Sequence, residues 1–177
     1  MVKFVMCGAL LAGVVALAGC GSGDGEAAAS GAAPPSASVS KASRPLTARQ
    51  VMAALKAAGA PIGKVTVYTA ENDPNGKLGR PGQYTSKAAS VDRRVPASKV
   101  VGAEPGAVDF GCGVEVFPDE ASARARSEFI QQAQKSLQGM AGSEYDYLRG
   151  GVLLRVTGHL TPRQAAVYQR ALNKAAL

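Results

Sequence analysis

Two periodicities alternate along the second half of this chain. From Ala107 to Phe117 the residues alternate: Val108, Phe110, Cys112, Val114 and Val116 point one way, and Asp109, Gly111, Gly113 and Glu115 the other. A period of two predicts a strand with one face on a core and one toward water. After Pro118-Asp119 the apolar spacing changes to four, at Ala121, Ala125, Phe129, Ala133 and Leu137, with Ile130 widening the stripe. That spacing predicts a long helix ending at Gly139. Tyr145 to Arg149 and Val152 to Thr157 read as strands joined by Gly150-Gly151, a two-residue hairpin signal.

Helix ends are written in local chemistry. Leu46-Thr47-Ala48-Arg49-Gln50-Val51 carries a capping box and its hydrophobic staple, with Val51, Met52, Leu55 and Ala58 as the buried stripe and Gly59 as the stop. Leu160-Thr161-Pro162-Arg163-Gln164 repeats that syntax for a last helix. Between them Lys64 to Ala70 reads as a strand and Tyr84 to Val91 as a weaker one. The expectation is an α+β domain: a mainly antiparallel sheet of four or five strands with about three helices, mostly on one face. From Val108 onward, strand, helix, strand, strand, helix matches part of a ferredoxin-like unit.

The N-terminus reads differently. Lys3 precedes an apolar run from Phe4 to Ala18, about 15 residues and short of the ~20 that span a bilayer. The run ends in Leu17-Ala18-Gly19-Cys20, which resembles the lipobox of bacterial lipoproteins. The resemblance implies a lipoprotein signal peptide over 1–19, cleavage before Cys20 and acylation of its thiol. Residues 20–45 are almost all Gly, Ala, Ser and Pro, and cannot offset their ordering entropy by burial. They read as a flexible tether with a reach of roughly 25–30 Å. Residues 46–177 remain as one domain.

Composition narrows the chemistry. Of the three cysteines, Cys7 leaves with the signal peptide and Cys20 takes lipid, so Cys112 has no disulfide partner. Its place on the apolar strand face makes it a small hydrophobe. His159 is the one histidine, so neither a zinc set nor a positioned Cys-His dyad is spelled out. The net charge of +7 suits anionic headgroups or envelope polymers outside the membrane, and nucleic acid is not expected there. Lys77, Arg80, Lys87, Arg93, Arg94 and Lys99 gather in one stretch with a single acid, Asp92, and read as a solvated face. Tyr145 and Tyr147 share a strand face suited to packing.

The segment ENDPNGKLGRPGQYTSK, residues 71–87, is dense in turn formers. Asp73-Pro74-Asn75-Gly76 fits a type I turn and Arg80-Pro81-Gly82-Gln83 a type II turn, making a stiff connection between strands. At the first turn position Asn could serve as well as Asp73. Glu71, Asp73, Asn75 and Gly76 echo a calcium loop, but Gly82 stands where the bidentate Glu belongs, so no metal is expected. Asp73, Asn75, Lys77, Arg80 and Tyr84 are the candidate binding residues of this loop.

ENDPNGKLGRPGQYTSK, VEVFPD and LLRVTGHLTP together resemble a group of small, uncharacterised secreted lipoproteins of high-GC Gram-positive bacteria. The resemblance implies a location and no chemistry. The expected role is a membrane-anchored, non-catalytic binding module of the cell envelope without a cofactor. It would be held to the outer face of the membrane by its lipid, with an envelope protein or an anionic envelope polymer as partner. The alternative is an envelope enzyme working through the loop carboxylates Glu71 and Asp73.

Overall fold

Thr47 caps the first helix as its sequence demands: its hydroxyl accepts from Gln50 N, and Gln50 Oε1 accepts from Thr47 N at 2.9 Å. The computed structural model describes residues 45–137 and 142–177. The expected signal peptide, Cys20, nearly all of the tether and Gly139 lie outside the described residues. Among the described residues, no helix is long and apolar enough to cross a membrane.

Helix α1 (Ala48–Ala57) buries Ala48, Val51, Met52 and Leu55. It ends on Gly59, whose N–H bonds Lys56 O while Ala60 N bonds Leu55 O. Strands β1 (Val65–Val67), β2 (Ser86–Val91) and β3 (Gly111–Val116) follow, then α2 (Glu120–Ser136), β4 (Glu144–Arg149), β5 (Val152–Thr157) and α3 (Pro162–Lys174). The five strands form one antiparallel sheet in the order β1-β2-β3-β5-β4. The domain is α+β, with three helices and five strands, as its patterning predicts. The β4–β5 turn is the expected two-residue hairpin, with Arg149 paired to Val152.

Adjacent residues of β5 define the two layers. Leu154 and Val156 face the larger core with Cys112, Val114 and Val116 of β3 and the apolar stripes of α1 and α3. Leu153 faces the other way, into a smaller cluster with Tyr84, Phe117, and Ala123 and Ile130 of α2. Thus α1 and α3 cover one face and α2 part of the other. Strands β3 and β4 run parallel with β5 between them, and α2 connects them in a split crossover. Placing α2 and α3 on opposite faces parts the fold from a ferredoxin-like unit.

Polar side chains fasten the larger layer. Ser86 Oγ on β2 accepts from Ala48 N at the start of α1. Arg149 closes the end of α3, its Nη1 donating to Leu172 O and Ala175 O at 2.6 Å each. Asp92 accepts from the Tyr168 hydroxyl of α3 at 2.9 Å and from Arg94. Tyr145 and Tyr147 pack against this core, as their spacing suggests, and the Tyr145 hydroxyl donates to Leu160 O.

Three expectations need correction. The strand at β3 is shorter than 107–117, and no face of it reaches water: all six residues of Gly111–Val116 are buried. Glu115 can be buried because two arginines neutralise it, and Gly113 lets the 108–110 turn close over the strand, with Val108 on the side away from Cys112. The α2 stripe is rotated. Ala123, Ser127 and Ile130 face inward, while Phe129 is 61% exposed and Leu137 48%. Polar bonds set this rotation: Ser127 Oγ donates to Asp146 Oδ2 at 2.8 Å, and Arg126 Nε reaches Glu115 Oε2 at 3.1 Å. Finally, the basic stretch does not form one solvated face. Lys87 is buried against Asp73, and Arg94 turns onto Asp92.

A polar cleft on the second face of the sheet as candidate site

The segment 71–84 is a framework of turns organised by one buried carboxylate. Gly76 N bonds Asp73 O at 2.9 Å and Gln83 N bonds Arg80 O at 3.0 Å, which are the two expected turns. Gly76 has φ +58 and Gly82 φ +70, values that side chains with a Cβ rarely adopt. A further turn joins Arg80 N to Lys77 O. Inside these turns Asp73 Oδ2 accepts from Lys77 N, Leu78 N and the Tyr84 hydroxyl, at 2.9, 3.1 and 2.5 Å. Asp73 Oδ1 accepts from Lys87 Nζ at 2.7 Å and from Asn75 N at 3.3 Å. Burial works to raise the Asp73 pKa, but the bonds from Lys87, Tyr84 and Lys77 outweigh it and hold the carboxyl well below the usual range.

The loop candidates therefore divide. Asp73 and Tyr84 are buried and serve as the internal frame of the loop, with Tyr84 edge-on to Phe117 at 5.8 Å between ring centres. This corrects their expected place among the contact residues. Asn75 and Arg80 are exposed and Lys77 is partly so. Glu71 is exposed on the turn before Asp73 and does not join it in a shared pocket.

Beside this loop the sheet carries a cleft of about 510 Å³. Its floor is the face of β2, β3 and β5 opposite the larger core. Ala89 and Gly113 are paired neighbours in that floor, with Val108 packed over Gly113. Asn72 and Asn75 form one wall, residues 104–109 a second, and Gln134 of α2 with Ser143 and Glu144 a third. The second wall is fixed by the Tyr68 hydroxyl, which donates to Gly106 O at 2.5 Å. A side chain at Gly106 would run into that hydroxyl.

The charged groups of the floor are paired. Glu115 accepts from Arg126 Nε and from Arg155 Nη1 at 3.0 Å. Arg155 grips Glu144 with two bonds of 2.8 Å, Nε to Oε2 and Nη2 to Oε1, and Gln134 Nε2 donates to the same carboxylate. Burial works against the Arg155 charge, and Glu144, Glu115 and Asp146 overcome it and hold the guanidinium protonated. Lys87 adds cation–π contacts to Tyr68 and Tyr84 at 4.8 and 5.5 Å.

Asp146 is the exception. It is paired in register with Arg155, but its Oδ1 is buried with no hydrogen-bond partner among the described residues. Burial and the neighbouring Glu144 push its pKa up, against the Ser127 bond.

Other candidate chemistry lies apart from the cleft or at its edge. Cys112 is buried on the opposite sheet face, and burial pushes its thiol up to about 12. His159 Nε2 stands 3.7 Å from Asp109 Oδ1 near the rim. Among the described residues no group of three or more His, Cys, Asp or Glu is placed to hold a metal ion.

The cleft residues Glu115, Glu144 and Arg155 were not singled out by sequence reasoning. The available signal was glycine at alternate positions of a strand with a single Glu among them, a pattern of close approach rather than of a wet face. Comparison with known proteins gives no match to a family model, to a curated protein or to a solved structure.

Proposed function

We propose that this chain is a lipid-anchored module of the outer membrane face whose cleft binds a polar ligand of the cell envelope without transforming it. The cleft carries this reading. Its volume lies within the range of small-ligand sites. Glu115, Glu144 and Arg155 of its floor are locked in mutual pairs. Asn72, Asn75, Gln134, Ser143 and Thr157 add amides and hydroxyls to its lining, groups suited to hydroxyl- and amide-bearing ligands. The enzyme alternative rested on Glu71 and Asp73. Asp73 is occupied by five donors and Glu71 stands outside the cleft, so the pair lacks the geometry of an acid and a base.

The anchoring half of the reading rests on the lipobox at Leu17–Cys20. Two experiments test the whole. Cells fed labelled palmitate should incorporate label into the wild type and not into Cys20→Ser, which leaves the membrane fraction. Full retention of Cys20→Ser refutes the anchor. Photo-crosslinking amino acids at Asn75 and Gln134 should then capture an envelope component that the same probe at Gln169 of α3 does not. Equal capture at all three positions refutes the cleft.

A further inference from the structure

We propose that the outer sides of α1 and α3 form one cationic platform that docks on an anionic lipid bilayer, turning the cleft away from it. This goes beyond the ligand-binding reading, because it concerns the opposite side of the domain. Helix α1 buries Val51, Met52 and Leu55 and keeps Arg49 and Lys56 exposed. Seven residues are nearly two turns, so these cations share a side about 10 Å apart. Helix α3 buries Ala165, Tyr168, Ala171 and Leu172 and exposes Arg163, Arg170 and Lys174. Spacings of seven and four align those three in a stripe about 16 Å long. The two helices touch and share one core, with the α3 cations opposite its buried side and the α1 pair on the exposed flank of its helix.

The two helices carry charge of one sign, the nearby Asp92 being buried and paired with Arg94. Residues 45–70 and 158–177, which include both helices, contain no Asp or Glu. None of the five cations makes an ion pair among the described residues. Four cations elsewhere are committed inward, Lys87 to Asp73, Arg94 to Asp92, and Arg126 and Arg155 to Glu115, while Arg80, Arg124 and Lys135 remain at the surface as a control set away from the two helices. The acids gather on the other face, where Glu104, Asp109, Glu115 and Glu144 line the cleft. The domain is thus polarised across its sheet. Separated, exposed cations on a helix layer do not converge on one small anion; they match an extended anionic surface, with each charge adding attraction near the headgroups.

The test uses the full chain carrying Cys20→Ser, so that acylation plays no part. Binding is measured by sedimentation with vesicles of phosphatidylglycerol and phosphatidylcholine in equal parts, and with phosphatidylcholine alone. Replacing Arg163, Arg170 and Lys174 together by Gln should lower affinity for the anionic vesicles roughly 100-fold, taking about 1 kcal/mol per cation. The matched replacement of Arg80, Arg124 and Lys135 should cost far less, and binding to phosphatidylcholine should not change. Unchanged melting temperatures will establish that both variants fold. Equal losses in the two triple variants would reduce the effect to net charge and overturn the platform. Loss confined to Phe129→Ser would put the α2 face on the membrane and overturn it as well. So would polyphosphate displacing the protein from vesicles at equal phosphate, since a soluble polymer would then be the preferred partner.

Discussion

Lys87 Nζ lies 2.7 Å from Asp73 Oδ1, with the carboxylate wholly shut off from solvent and the lysine nine-tenths so. This pair joins the loop, which sequence alone reads as a stiff connection with candidate binding residues, to the central part of the sheet. Replacing Asp73 by Asn should therefore cost about 3 kcal/mol, because it strands a buried ammonium as well as removing an acceptor. Adding Lys87→Met should restore part of that loss. Urea unfolding of the two variants measures both. That result would go against the expectation that Asn also serves at the first turn position.

The same carboxylate sets a pH dependence. Its folded pKa is depressed, so its contribution to stability is complete above the unfolded value near 4 and is lost as pH falls below it. Thermal melts from pH 6 down to about 2 should show a steeper loss in the wild type than in the Asp73→Asn, Lys87→Met double variant.

Asp146 runs the other way. Its folded pKa is raised, so stability tied to its protonated form is present at low pH and lost as pH rises through the folded value. Asp146→Asn keeps an acceptor for Ser127 and removes the buried charge. It should leave the domain as stable or up to about 1 kcal/mol more stable at pH 7, with the gain vanishing near pH 3. A loss at neutral pH would mean that the Asp146 charge is needed by Arg155.

Gly76→Val should destabilise by ~1 kcal/mol or more, and Gly76→Asn much less. A Cβ at this position meets only Arg80 Nη2, at 3.8 Å, so the cost is in the backbone angle and not in crowding. Denaturation midpoints of the two variants separate these causes.

The rotation of α2 gives a paired test. Ile130→Ala should cost ~2–4 kcal/mol and Phe129→Ala under ~1, although Phe is the larger side chain. In the same preparations Cys112 should resist an aromatic disulfide reagent until urea unfolds the chain, its thiol being buried and pushed up to about 12.

These tests mark what a sequence discloses. The ends of α1 and α3 were legible because Thr47 with Gln50, and Thr161 with Gln164, close their bonds within three residues. The turns at Gly76 and Gly82 and the hairpin at Gly150-Gly151 were legible for the same local reason. The face of α2 was not, because its inner side is polar: Ser127 and Arg126 face the sheet on account of Asp146 and Glu115, on two other strands. Nor was the cleft. Its floor depends on Glu115 meeting Arg155 across 40 residues, and a lone Glu in an alternating strand looks the same whether it faces water or a guanidinium. Distant charge pairing leaves no periodic trace.

The strand order also governs what happens when two such domains meet edge to edge. Both margins of the sheet are poor templates for a neighbour's backbone. On one side β1 offers only Val65–Val67 before the chain turns away at Thr69, where Asn72 Oδ1 captures the amide. On the other, β4 carries Glu144, Asp146 and Arg149 at half its positions, with α2 and α3 against its two faces. Short or charged margins are how sheets resist growing from one molecule into the next. A sheet built this way resists edge-to-edge pairing with a neighbour, and its five strands form a closed set.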